Sequence, residues 1–187
     1  MSYSIKMKIY PSDGTGKPNA SKFLGCPVIP DEWLEEFDDN VMFLMQIKLS
    51  DIAQLDSDNL LPHKGYLYVF LDTTEGIYNL KPIIKYYDAE PYNIVDNFNS
   101  VVPEFTEYLD TFLISFELEN CDYNGTKLLG NPSWWNYQDQ PGPLLFQFDP
   151  LDNEINLFPT LDGLLYFFFN QNNKNDFSKI TLIEDYS

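Results

Sequence analysis

Two cysteines, one histidine and no arginine among 187 residues leave this chain few groups for the commoner kinds of chemistry. His63 sits between Pro62 and Lys64, a turn setting, so a surface role is expected of it rather than catalysis. One imidazole excludes a histidine dyad or triad, and Cys26 and Cys121 lack the paired spacing of a zinc site. Cys26 lies between Gly25 and Pro27, where backbone amides could activate a thiol. No base lies near it in sequence, and an inert, reduced thiol is expected. Asp13-Gly14-Thr15-Gly16-Lys17-Pro18 follows a strand in the manner of a phosphate loop. The earlier glycine of that motif falls on Pro11, however, and Pro18 replaces its magnesium-binding hydroxyl, so a plain loop is expected. Asp56-Ser57-Asp58-Asn59 alternates oxygen side chains without the glycine and closing glutamate of a calcium loop. Carboxylates are too numerous for any acid–base pair to stand out. No catalytic residue, metal ligand or cofactor is assigned, and the balance leans away from an enzyme.

Polar and aromatic residues set among apolar strands are better candidates. Gln46 in Phe43-Leu44-Met45-Gln46-Ile47 and Gln147 in Leu144-Leu145-Phe146-Gln147-Phe148 occupy the same place in similar strands. Their amides either face a groove between two halves of the chain or brace the backbone at the neighbouring Gly-x-Pro turns. Bracing is preferred, because buried amides must be paired. Trp33, Trp134 and Trp135 flank those turns and could line a carbohydrate or peptide groove, with ordinary packing preferred.

Those strands belong to a longer repeat. Asn19-Ala20-Ser21-Lys22-Phe23-Leu24-Gly25-Cys26-Pro27 recurs as Asn124-Gly125-Thr126-Lys127-Leu128-Leu129-Gly130-Asn131-Pro132. Gly65-Tyr66-Leu67-Tyr68-Val69-Phe70 is answered by Gly163-Leu164-Leu165-Tyr166-Phe167-Phe168. Three matched blocks in one order indicate a duplication, with halves at about 19–72 and 124–170 inside one domain over 1–187.

The charge balance narrows the partners. Eleven basic residues, all lysine, face 29 acidic ones for a net −18, so nucleic acid is not an expected partner. Six acids crowd 31–39, and Glu35, Glu36, Asp38 and Asp39 are the expected core of an acidic face that captures a basic protein. A plain solvated surface is the simpler role for them. The acids from Asp149 to Glu154 form a second such cluster. The longest apolar run, Leu164–Phe169, is too short to span a bilayer as a helix, and no membrane partner is expected. The opening residues lack a signal-like apolar core, so a cytoplasmic monomer is expected.

The elements that must position these residues read mostly as short strands. Period-two alternation marks 3–10 and 112–118; apolar runs mark 41–49, 65–71, 81–87, 144–148, 163–169 and 179–183. Helical turns are expected at 31–39, where Trp33, Leu34 and Phe37 make an apolar side, and after a Ser50-Asp51 cap. The fold class is therefore α+β, predominantly antiparallel β, with two pseudo-repeated halves fused in one compact unit.

Ser21-Lys22-Phe23-Leu24-Gly25-x-Pro27, Phe43-Leu44-x-Gln46-Ile47-x-Leu49 and Leu61-Pro62-x-x-Gly65-x-Leu67 resemble the YwqG-like family of bacterial proteins of unknown function. Lys127-Leu128-Leu129-Gly130-x-Pro132, Gln138-Asp139 and Leu145-x-Gln147 extend the resemblance into the second half. No catalytic residues are established for that family, so the resemblance carries none over. Members near toxin genes make an immunity-type protein the role that the resemblance implies. A small-ligand or glycan binder using the groove between the repeats is the alternative.

Overall fold

The computed structural model describes residues 3–76, 79–96, 98–101, 110–134, 140–150, 152, 163–170 and 176–186. Alternation builds the first strand, β1 (Tyr3–Pro11): Tyr3, Ile5, Met7 and Ile9 are buried, while Lys8 and Tyr10 are exposed. In chain order follow β2 (Lys22–Phe23), β3 (Val28–Ile29), β4 (Val41–Lys48), β5 (Tyr66–Asp72) and β6 (Lys81–Tyr87). Then come β7 (Asn93–Ile94), β8 (Phe112–Asn120), β9 (Lys127–Leu128), β10 (Leu144–Phe148), β11 (Gly163–Phe169) and β12 (Ile180–Tyr186). No described helix is long and apolar enough to cross a membrane.

The α+β expectation is overturned. The ladders described are antiparallel, and among the described residues helical structure is confined to 3-10 turns at Asp31–Trp33, Leu49–Asp51 and Phe98–Val101. At 31–39, an α-helix would set Asp31 against Glu35 and Glu32 against Glu36, like charges one turn apart. Asp38 instead accepts the Asn40 N–H (2.8 Å) in a local turn, and β4 begins at Val41, too soon for a helix to propagate. Ser50 and Asp51 do not cap a helix either. The Asp51 carboxylate accepts the Ser21 hydroxyl (2.7 Å), so it is committed to tertiary structure.

The chain folds as two compact units. Unit N comprises Ile9–Gln54 and Leu61–Ile114; unit C comprises Met1–Lys8, Leu55–Leu60 and Ser115–Ser187. Within unit N the strand order is β8-β2-β4-β5-β6, with β3 and β7 paired as a separate ribbon. Within unit C it is β1-β9-β10-β11-β12. The leading strand of each unit thus comes from the other half of the sequence.

Registers agree in detail. Lys22 pairs with Gln46 and Gln46 with Tyr68 in unit N; Lys127 pairs with Gln147 and Gln147 with Tyr166 in unit C. A bulge interrupts β4 between Phe43 and Met45 and β10 between Leu144 and Phe146. In each case the skipped residue's carbonyl finds a partner: Leu44 O accepts from Leu24 N (2.8 Å) and Leu145 O from Leu129 N (3.1 Å). In unit N, Ile29, Trp33, Val41, Phe43, Tyr66, Tyr68 and Phe70 make an aromatic-rich core cluster. Its counterpart in unit C gathers Leu144, Leu164, Tyr166 and Phe168 under Trp134.

Candidate functional site

Each copy of the repeated block ends in a left-handed turn. Leu24 and Gly25 have φ of 55° and 73°, and Leu129 and Gly130 have 61° and 82°. A leucine in this region is strained by about 1–2 kcal/mol. Leu24 and Leu129 are buried, and apolar burial offsets that strain. Gly25 cannot be replaced cheaply, since a Cβ there would lie 1.9 Å from Thr111 Oγ1; at Gly130 it would lie 2.8 Å from Cys121 O.

The glutamines hold these turns. Gln46 Oε1 accepts the Val28 N–H (3.0 Å), and its Nε2 donates to Ala20 O (2.9 Å) and Pro18 O (3.3 Å). Gln147 Oε1 accepts the Ser133 N–H (2.9 Å), and its Nε2 donates to Gly125 O (2.9 Å) and Ser133 Oγ (3.1 Å). Tyr68 and Tyr166 donate their hydroxyls to Val28 O and Ser133 O, closing the same braces. Burial pushes both phenols well above the usual tyrosine value, so they remain donors.

Beside each glutamine lies a buried lysine that sequence reasoning did not single out. Lys22 is 4% exposed and Lys127 fully buried. Lys22 Nζ donates to Cys26 O, and Lys127 Nζ to Tyr123 O. Among the described residues neither ammonium meets a carboxylate in an ion pair. Desolvation pushes both down to about 8. The repeat of Lys-x-Leu-Gly at 22–25 and 127–130 equates the two lysines, but their burial follows from the pairing of each beside a buried glutamine.

The acidic cluster begins on the 3-10 turn Asp31–Trp33 of unit N and continues through the turns that follow it. Asp31 accepts Tyr92 OH (2.6 Å) and Asn93 Nδ2, while Trp33 is buried beneath. Lys85 pairs with Glu36 and stands 4.5 Å above the Trp33 ring. Glu35, Asp38 and Asp39 are exposed. Exposed Leu34 and Tyr92 adjoin them. Of the other aromatic candidates, Trp134 packs on Tyr166 (4.6 Å) and Phe168 (5.5 Å); Trp135 lies outside the described residues, as do Gln138, Asp139 and Glu154.

Carboxylates held below their ordinary range include Glu117 on β8, bonded by Lys8, and three beside turns. Asp13, Asp72 and Asp176 are held low by bonds from Thr15, Thr74 and Ser178, two residues on in each case. Among the described residues no three His, Cys, Asp or Glu side chains gather as metal ligands, and Cys26 and Cys121 are free.

Fold and site together define a two-unit antiparallel β protein whose buried polar groups brace its own turns. The chain belongs to the family described as domain of unknown function DUF1963, whose profile matches residues 21–118. That stretch includes the first braced turn, Lys22 and the acidic segment. No curated protein matches the chain.

Proposed function

We propose that this chain is a non-catalytic, monomeric cytoplasmic protein of the YwqG-like group that captures a basic protein through the acidic face at 31–39, in an immunity-type role. One observation carries the reading. Glu35, Asp38 and Asp39 are exposed, and among the described residues no lysine pairs with them, although Lys85 sits close enough to take Glu36. Unpaired carboxylates on a segment fixed by buried Trp33 are preorganised, so little ordering is required on binding. Leu34 and Tyr92 supply the apolar contact that charge alone lacks. The test reverses Glu35, Glu36, Asp38 and Asp39 to lysine and measures affinity for a cognate basic candidate at low and moderate salt. Affinity should fall at least about tenfold at low salt, with its salt dependence flattened. Unchanged affinity and salt dependence would return the cluster to a solvating surface.

A further inference from the structure

The two buried lysines occupy the same register position but different surroundings. In unit C the cross-strand row runs Lys6, Lys127, Gln147, and Tyr123 lies over it. The Tyr123 ring is 4.7 Å from Lys6 Nζ, its carbonyl takes the Lys127 ammonium, and its hydroxyl is anchored on Asp152 (3.1 Å). In unit N the same row runs Leu113, Lys22, Gln46. The residue standing one place before the repeated Asn is Tyr123 in one copy and Pro18 in the other. Pro18 has no aromatic ring to lay across the row, and its carbonyl is taken by Gln46. A cavity of about 230 Å³ is open there, lined by Lys22 with Lys17, Ser12, Thr111, Cys26 and Asp96 among others. A second cavity, of about 460 Å³, adjoins it and shares Ser12, Gly14 and Thr111.

The chemistry of that lining is out of character for the chain. On a protein with 29 acids against 11 lysines, the described residues lining the cavity include two lysines and a single acid, exposed Asp96. Asp110 lines the adjoining cavity. Lys22 is more than nine-tenths buried, with one carbonyl as its acceptor and no counter-ion among the described residues. A buried cation is costly unless paired, and an oxyanion entering the cavity would meet a donor already stripped of water. Ser12 and Thr111, which also line the cavity, carry hydroxyls that can act as neutral donors.

We infer that the cavity of unit N is a binding site for a small oxyanion-bearing molecule, a carboxylate or a phosphate, held by Lys22 and supported by Lys17, Ser12 and Thr111. The homologous position in unit C is closed by Tyr123. This site is separate from the acidic face and does not depend on it. The volume suits a ligand of metabolite size rather than a polymer.

The experiment titrates the full chain separately with inorganic phosphate and with acetate, following binding by calorimetry and by the resonances of residues around Lys22. Four proteins are compared: wild type, Lys22→Met, Pro18→Tyr and Lys127→Met. Saturable one-to-one binding of at least one probe is expected in the wild type, with the tighter probe identifying the oxyanion class. Affinity should fall at least about tenfold in Lys22→Met. It should fall likewise in Pro18→Tyr, which installs the plug of unit C and keeps the lysine. Lys127→Met should bind as the wild type does. If Lys22→Met fails to fold, Pro18→Tyr still decides the matter. No saturable binding of either probe, or binding equal in wild type and Pro18→Tyr, would overturn the assignment.

Discussion

At the residue scale, the decisive groups are polar ones placed where water does not reach. Gln147→Leu keeps the approximate volume but strands the Ser133 N–H and the Gly125 carbonyl. Each orphaned group costs about 1–3 kcal/mol, so denaturant unfolding should show a loss of about 2–6 kcal/mol. The lysines give a pH signature. Burial holds Lys127 at about 8 in the folded protein, against 10.5 for an ordinary lysine. Between those values the folded state has released a proton that the unfolded chain still binds, so stability gains with rising pH. The unfolding free energy of wild type minus that of Lys127→Met should therefore climb through this window and flatten on either side. A flat difference would mean that the ammonium keeps its ordinary affinity for protons. The glutamines were visible in the sequence because an amide inside Phe-Leu-Met-Gln-Ile breaks an apolar run. Lys22 and Lys127 were not, because a lysine beside serine or threonine reads as surface until the strand pairing is known.

At the scale of elements, the strands were legible and the helices were not. Alternation in Tyr3–Ile9 and Phe112–Leu118 and apolar runs such as Leu144–Phe148 carry their own period, and β1, β8 and β10 follow them. The 31–39 segment has an apolar side of helical spacing, but local periodicity takes no account of where the next strand must start or of charges one turn apart. Pairing partners were also hidden. Nothing in Lys22-Phe23 announces that Leu113 and Phe112 lie beside it, since that register is set by contacts about ninety residues away. The left-handed turn gives an element-level prediction. Gly14→Ala and Gly25→Ala both place a side chain at positive φ, but the first meets open space and the second meets Thr111. Gly14→Ala should cost about 1 kcal/mol and Gly25→Ala markedly more, read from denaturant midpoints at constant m.

At the scale of the whole molecule, net charge sets the background against which every site works. A chain at −18 repels itself, and salt shortens the range of that repulsion from about 30 Å at 0.01 M to about 8 Å at 0.15 M. The thermal midpoint should therefore rise across that interval, although exposed pairs such as Lys8–Glu117 and Lys64–Asp88 weaken. A falling midpoint would show that those pairs outweigh the global repulsion. The exposed acids of 31–39 were legible because that segment concentrates its charge in sequence. The cavity beside Lys22 was not, because Ser12, Lys22, Asp96 and Thr111 converge only after β8 has come to lie against β2.

The leading strand of unit C also sets a timetable for biosynthesis. Lys6 pairs with Lys127, so β1 is made about 120 residues before its partner. At ordinary translation speeds that is a wait of roughly ten seconds on the ribosome. Until β8 and then β9 emerge, Tyr3, Ile5, Met7 and Ile9 are an apolar ribbon with no ladder to join, while β2 finds β4 within about twenty-five residues. Nascent chains of this protein should consequently lean on holding factors until the last third is being made, and a stall in translation before β8 should leave a sticky fragment whose danger lies at its first-made end.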